Sequence, residues 1–288
     1  MFRSALRNKS TLLLLASLVV GSVTCAGAAE SGSKSIWIPM REAGKEIKLE
    51  ATLYKPDGEG PFPVVIFNHG STGHEGAKSA TRTENPVTYS KLLAGRGVAL
   101  LVPMRRGRGK SDGKYREEDF TCSRSGARAG IAYASESLDA VYEYLRKQPW
   151  ADMKKVVLAG QSRGGMLSSF YASERPGSVV GVINFVGGWF DDSNRSYCAG
   201  GDINAALFGQ AGGGKSKIPN LFLYGTGDSY YSASSIQKYA PAFKEAGGDV
   251  TFKLYELSAG VDGHLLFYHY FSRWGKDHEA FLSTLGIW

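Results

Sequence analysis

The chain has 288 residues, 43% hydrophobic and 21% charged, which suits one large globular domain and excludes a disordered or fibrous chain. Its formal net charge of +7 is a mild excess without a clustered basic face, so nucleic acid is not an expected partner.

The chain opens on a leader. Arg3, Arg7 and Lys9 precede an apolar run from Leu12 to Val23, and Ala26-Gly27-Ala28 follows. A basic start, a short apolar stretch and a small-residue site predict a secretory signal peptide over residues 1–28, cleaved after Ala28. About a dozen apolar residues fall short of the ~20 that a spanning helix needs. Ser22-Val23-Thr24 before Cys25 is a poor match for lipid attachment. Cleavage leaves 31 basic against 27 acidic residues, a net charge of +4. The expected mature protein, residues 29–288, is periplasmic or secreted and has no stable membrane insertion.

Strand and helix candidates then alternate. Ile36-Trp37-Ile38 and Glu46 to Tyr54 read as strands, the second alternating at Ile47, Leu49, Ala51 and Leu53. Pro63 to Phe67 and Val98 to Val102 are continuous apolar runs, as in strands buried on both faces. A helix is expected over Val87 to Ala94, and a charged, Gly-rich loop over Pro103 to Gly126. Ile131, Ala134, Leu138, Val141, Tyr142 and Leu145 have helical spacing, closed by Pro149. Lys155 to Ala159 is a strand and Gly164 to Glu174 a helix. Val179 to Val186, Asn220 to Tyr224 and Val250 to Leu257 are further strands. Ser232 to Ala246 and Leu265 to Leu285 complete the helices, and Gly187 to Lys217 is long enough for a small cap. The alternation predicts one domain with a mostly parallel sheet covered on both faces.

Gly160-Gln161-Ser162-Arg163-Gly164 lies between a predicted strand and a predicted helix. A serine hydroxyl needs a neighbouring base, and that base needs an orienting group. A sharp strand-to-helix turn leaves no room for side chains beside the serine, which explains Gly160 and Gly164. It also sets the Arg163 amide at a helix N-terminus, where it can hold an oxyanion. The second amide is expected from the loop Asn68-His69-Gly70-Ser71-Thr72-Gly73, at Ser71, with Thr72 as the alternative.

Asp228 ends Leu223-Tyr224-Gly225-Thr226-Gly227-Asp228, just past a strand, and is the expected acid. Asp191, Asp192 and Asp262 compete, and Asp262 suits holding its local loop. His264, in Asp262-Gly263-His264, is the expected base. His69, His74, His269 and His278 are placed as structural or solvated. The order Ser162, Asp228, His264 matches one class of hydrolase and not the other common triad classes.

Together these motifs resemble the α/β-hydrolase superfamily, and within it the dienelactone-hydrolase-like and prolyl-oligopeptidase-like esterases, over nearly all of residues 36–288. The likeness implies an α/β-hydrolase fold with a central sheet of about eight strands. Dienelactone hydrolases carry cysteine at the nucleophile position and this chain carries Ser162, so ester hydrolysis is implied rather than that particular activity. The stretch Arg106 to Gly113 resembles the loop after the fourth strand of many bacterial esterases in the superfamily, where its role is structural. The expected substrate is a small-molecule ester, and no cofactor is implied. A serine peptidase or an acyltransferase could use the same residues, and a non-catalytic scaffold is the third reading.

Other features are read more plainly. Gly209 to Ser216 matches the P-loop pattern, but Pro219 follows where that loop requires a helix. No zinc signature is present. Arg105, Arg106 and Arg108 suit either an anionic substrate or salt bridges with Glu117, Glu118 and Asp119. Trp189, Phe190, Tyr230 and Tyr231 follow strand ends, where aromatic residues line pockets or fill the core. Cys122 and Cys198 remain after cleavage and predict a disulfide, worth about 4 kcal/mol in the chain-entropy model, that braces a roof near Ser162.

Overall fold

Val64, Val65, Ile66 and Phe67 are all buried. Successive residues of a strand face opposite ways, so both faces of this strand are covered. The computed structural model describes residues 32–71, 82–192, 200–215 and 217–288 together with Met1. Among these, eight strands form one sheet: β1 (Ser33–Glu42), β2 (Lys45–Tyr54), β3 (Phe62–Asn68), β4 (Ala99–Pro103), β5 (Ala151–Gln161), β6 (Gly181–Phe185), β7 (Asn220–Gly225) and β8 (Val250–Tyr255). The order is β1-β2-β4-β3-β5-β6-β7-β8. The pairs β1–β2 and β2–β4 are antiparallel, and every later neighbour is parallel.

The helices are α1 (Val87–Ala94), α2 (Arg124–Leu145), α3 (Arg163–Glu174), α4 (Gly200–Gly212), α5 (Ala233–Glu245), α6 (Leu266–His269) and α7 (Phe271–Thr284). Helices α2 to α5 pack in succession as one layer. In the other, α1 meets α7, where the Tyr89 ring packs edge-on against Trp274 and its hydroxyl lies 2.9 Å from His278 Nε2. Within the segment 187–217, α4 lies along α5 and beside α3.

Several boundaries differ from the sequence pattern. The first strand is ten residues long rather than three, because its whole length pairs with β2. Helix α2 starts at Arg124 rather than near Ile131, with the Ser123 hydroxyl accepting from the Gly126 amide. Gly126 and Gly130 weaken the helical pattern there, and close packing explains both. A Cβ at Gly126 would stand 2.0 Å from the Thr121 carbonyl oxygen, and one at Gly130 2.5 Å from that of Glu117. The last predicted helix is a 3-10 turn (Gly263–Leu265) followed by α6 and α7, with a break at Tyr270. The Trp274 indole N–H bonds the Leu266 carbonyl across that break.

The P-loop-like run occupies the C-terminal end of α4, which presents carbonyl oxygens rather than amides, and Ser216 lies outside the described residues. Residues 2–31, which hold all but Met1 of the predicted signal peptide 1–28, lie outside them, as do Thr72, His74 and Cys198.

Candidate active site

The parallel strands end side by side, and their ends are stitched together. The Ser162 amide donates to the Phe185 carbonyl at 2.9 Å, Val186 to Leu223 at 2.8 Å, and Thr226 to Tyr255 at 2.9 Å. Loops leaving this edge carry every predicted catalytic residue, as expected of an open parallel sheet.

Ser162 sits between β5 and α3 at φ 55°, in the left-handed region where a non-glycine residue is strained. The two glycines make the turn possible. A Cβ at Gly160 would lie 2.3 Å from the Gly164 carbonyl group, and one at Gly164 2.0 Å from the Asn68 carbonyl oxygen. The serine hydroxyl does not cap the helix. Val186, at the end of β6, is also left-handed at φ 45°. It begins a turn in which the Gly188 amide reaches the Ser162 carbonyl at 3.3 Å.

Asp228 and His264 meet. His264 Nδ1 lies 3.1 and 3.0 Å from the two carboxylate oxygens of Asp228, whose side chain is fully enclosed. The Tyr230 and Tyr231 amides donate to Asp228 Oδ1 at 2.8 and 2.9 Å, fixing the carboxylate. Asp262 holds the two loops together, accepting from the Ser229 amide and hydroxyl and from the His264 amide. Burial would raise the Asp262 carboxyl, yet these hydrogen bonds bring it below its ordinary value. Asp192 caps α5 through Ser232 instead.

Ser162 Oγ is not hydrogen-bonded to His264 here. Its partner is the Tyr231 hydroxyl at 3.4 Å. Burial raises the pKa of Tyr231, so that hydroxyl keeps its proton. Tyr231 therefore touches all three residues, with its amide on Asp228, its ring edge-on to His264 at 5.4 Å and its hydroxyl on Ser162.

The two predicted oxyanion amides lie on segments that border Ser162. Arg163 is the first residue of α3, where the amide has no acceptor within the helix. Across the site, the Gly70 carbonyl is turned inward, 2.7 Å from His69 Nδ1 and 3.4 Å from an Arg105 nitrogen. In a trans peptide the following N–H points the opposite way, so the Ser71 amide is directed outward. A Cβ at Gly70 would stand 3.1 Å from Ser162 Cβ, which places this loop against the nucleophile.

The arginines resolve into structural pairs. Arg105 forms a buried two-point ion pair with Glu117 at 2.7 Å on both arms and donates to the His69 carbonyl at 2.9 Å. Burial would raise the Glu117 carboxyl, but the Arg105 guanidinium holds it down at about 2. Burial lowers the His69 imidazole to about 3, with the Arg105 charge pushing the same way. Arg106 pairs with Glu42 and Glu136, and Arg108 lies 4.0 Å from Glu118. Asp119 pairs with Arg116.

The four aromatic candidates divide. Trp189 is only 2% exposed and packs where a Cβ on Gly130 would touch it, so it belongs to the core. Phe190 is half-buried. Tyr230 is 47% exposed, with its ring 4.3 Å from that of His264. Tyr231 is buried beneath it. Cys122 is held in a disulfide just before α2, and Cys198, the predicted partner, lies outside the described residues.

Three further residues shape the site. Gln161 donates to the His264 carbonyl at 3.4 Å. Asn204 on α4 accepts from the Trp189 and Phe190 amides at 2.8 and 3.1 Å. Glu118 joins Ser71 to Arg163. Gln161 lies inside the serine motif and Glu118 beside the arginine loop, but no local pattern reveals the contacts of these three residues, because each acts on a loop distant in sequence. Among the described residues no cluster of His, Cys, Asp or Glu is arranged to hold a metal ion.

Residues 44–240 match the family model of X-Pro dipeptidyl-peptidase (S15 family). The chain is 29% identical over 147 residues to the quorum-quenching protein AidA of Acinetobacter baumannii, which covers 50% of this chain and 42% of that one. It therefore spans less than half the length of that relative. An esterase of Pyrococcus furiosus superposes with a TM-score of 0.60 at 16% identity, covering 88% of this chain and 90% of the esterase. Dipeptidyl peptidase 4 of Porphyromonas gingivalis gives 0.62 at 16% identity, over 89% of this chain and 35% of the peptidase. At such identities the likeness to both structures is one of fold.

Proposed function

The chain belongs to the X-Pro dipeptidyl-peptidase (S15) family and is a serine hydrolase of α/β-hydrolase fold, and from that premise we propose that it is exported and cleaves carboxylic esters with Ser162, His264 and Asp228. The observation that supports this most strongly is the strained Ser162 turn joined through Tyr231 to a His264–Asp228 pair. In the proposed cycle Ser162 Oγ leaves Tyr231, passes its proton to His264 Nε2 and attacks the ester carbonyl carbon. The buried Asp228 carboxylate stabilises the imidazolium. The Ser71 and Arg163 amides hold the oxyanion, each donor typically worth about 3 to 4 kcal/mol of barrier. The carbonyl re-forms as the alcohol departs with the proton from His264. Water, deprotonated by His264, then frees the acid and restores Ser162.

A phenoxide leaves with little help and an alcohol leaves with the His264 proton, whereas an amide nitrogen must be fully protonated as it departs. The lower barrier to expelling oxygen favours esters. The family match favours a serine peptidase as the second reading. A panel of p-nitrophenyl esters of graded chain length, run beside aminoacyl and Xaa-Pro anilides, separates them. Higher kcat/KM on the esters is expected, and higher kcat/KM on the anilides would replace the esterase reading with the peptidase one.

A further inference from the structure

The two amides expected to hold the oxyanion come from segments far apart in sequence, the loop after β3 and the start of α3. The two segments pack together at their roots, where Asn68 Nδ2 donates to Ser168 Oγ at 2.8 Å and Gly164 lies against the Asn68 carbonyl, but these contacts stop short of residues 71 and 163 themselves. Both residues carry polar side chains, and both side chains end on one carboxylate oxygen. Ser71 Oγ donates to Glu118 Oε1 at 2.5 Å, and the Arg163 guanidinium pairs with the same oxygen. Arg163 is held from the other side by the Trp189 carbonyl at 2.9 Å. The Tyr115 hydroxyl also donates to Glu118, and Arg108 approaches it at 4.0 Å.

Glu118 is itself anchored. Its neighbour Glu117 is locked to Arg105, whose guanidinium grips the His69 and Gly70 carbonyls. Residues 117 and 118 thus reach the oxyanion loop at two levels. Glu117 acts through Arg105 on the inward carbonyls, and Glu118 acts directly on the Ser71 side chain. Glu118 alone reaches across to α3.

We propose that Glu118 is a positioning residue that sets the spacing between the Ser71 and Arg163 amides, coupling the two halves of the oxyanion site through one carboxylate. The inference rests on the serine-hydrolase mechanism proposed above. Glu118 takes no part in proton transfer. Its carboxylate opposes the Arg163 charge and accepts from the Ser71 hydroxyl, so the amides are preorganised before substrate arrives. Preorganised donors act on charge that develops in the transition state, so their misalignment lowers kcat and leaves ground-state binding nearly unchanged.

The test measures kcat and KM on p-nitrophenyl acetate for the full chain and for Glu118→Ala, Glu118→Gln, Ser71→Ala and the Ser71→Ala/Glu118→Ala pair, with Tm for each. Wild-type turnover and fluorophosphonate labelling are established first; if both are absent from folded protein, the hydrolase reading itself falls and takes this one with it. With an active wild type, Glu118→Ala is expected to lower kcat by about 10- to 100-fold with KM within about twofold. Glu118→Gln keeps the shape and the acceptor but not the charge, and is expected to lie between. Because Ser71→Ala keeps its amide and removes the hydroxyl that reaches Glu118, its loss should not add to that of Glu118→Ala. Unchanged kcat in a folded variant, a loss confined to KM, or fully additive losses would each overturn the proposal. Should Glu118→Ala not fold, the kcat and KM of Glu118→Gln decide by the same criteria.

Discussion

The Tyr231 hydroxyl is the partner of Ser162 Oγ in the resting site, where a base would be expected. It is buried and keeps its proton, and in this bond either hydroxyl can donate, so the contact holds the oxygen that must become the nucleophile. At 3.4 Å the bond is long, and a neutral hydrogen bond of this kind contributes about 0.5 to 1 kcal/mol net. Tyr231→Phe keeps the ring against His264 and the amide on Asp228 and removes only this hold. Fluorophosphonate should then label Ser162 about two- to fivefold faster, the rate equivalent of that energy. A tenfold fall in labelling would show instead that the hydroxyl works in the transition state. Tyr231 stands among the sequence's aromatic pocket candidates, but its contact with all three predicted catalytic residues depends on how its ring packs on the distant Gly188 backbone.

At the scale of elements, the central strands and the helix after Ser162 were legible because each is long, apolar and bounded by glycine or proline. Gly160, Gly164, Asp228 and His264 were legible for a related reason: local chemistry at strand ends restricts which residues serve. What the sequence did not reveal comes from loops meeting other loops. Gly126 and Gly130 weaken the start of α2 as a pattern, and only the approach of the Thr121 and Glu117 carbonyls shows why they are there. Trp189 follows a strand end like a pocket residue, yet the Asn204 side chain draws its segment against the core. Asn204 lies on α4, inside the stretch 187–217 expected as a small cap. The arginines after β4 left two readings open, and burial decides for Arg105. A guanidinium 1% exposed needs a fixed counter-charge, which Glu117 supplies.

At the scale of the molecule, acid should unfold this protein in two stages. His69 and His278 are buried and neutral, each lowered by burial to about 3 from an ordinary 6.5. Below pH 6.5 the unfolded chain therefore binds protons that the folded one refuses until about pH 3, so stability falls through that window as pH drops. Glu117 adds a second stage. Its folded value of about 2 lies below the ordinary 4.5, so its contribution is complete above pH 4.5 and is lost as pH falls toward 2. Scanning calorimetry from pH 8 to pH 4 should show Tm declining from about pH 6.5 downward. A constant or rising Tm between pH 6.5 and 4.5 would contradict the placement of the two neutral histidines.

The whole assembly converges on one oxygen. The sheet brings three strand ends together, the glycines let Ser162 stand in a strained turn, and Glu118, Gln161 and Asn204 hold the surrounding loops. If that convergence is catalytic, a fluorophosphonate probe should form one covalent adduct with the folded protein, and peptide mapping should place it on Ser162. Ser162→Ala, folded with unchanged Tm, should form none. Folded wild-type protein that takes up no probe, or an adduct that persists in Ser162→Ala, would contradict the account at its centre.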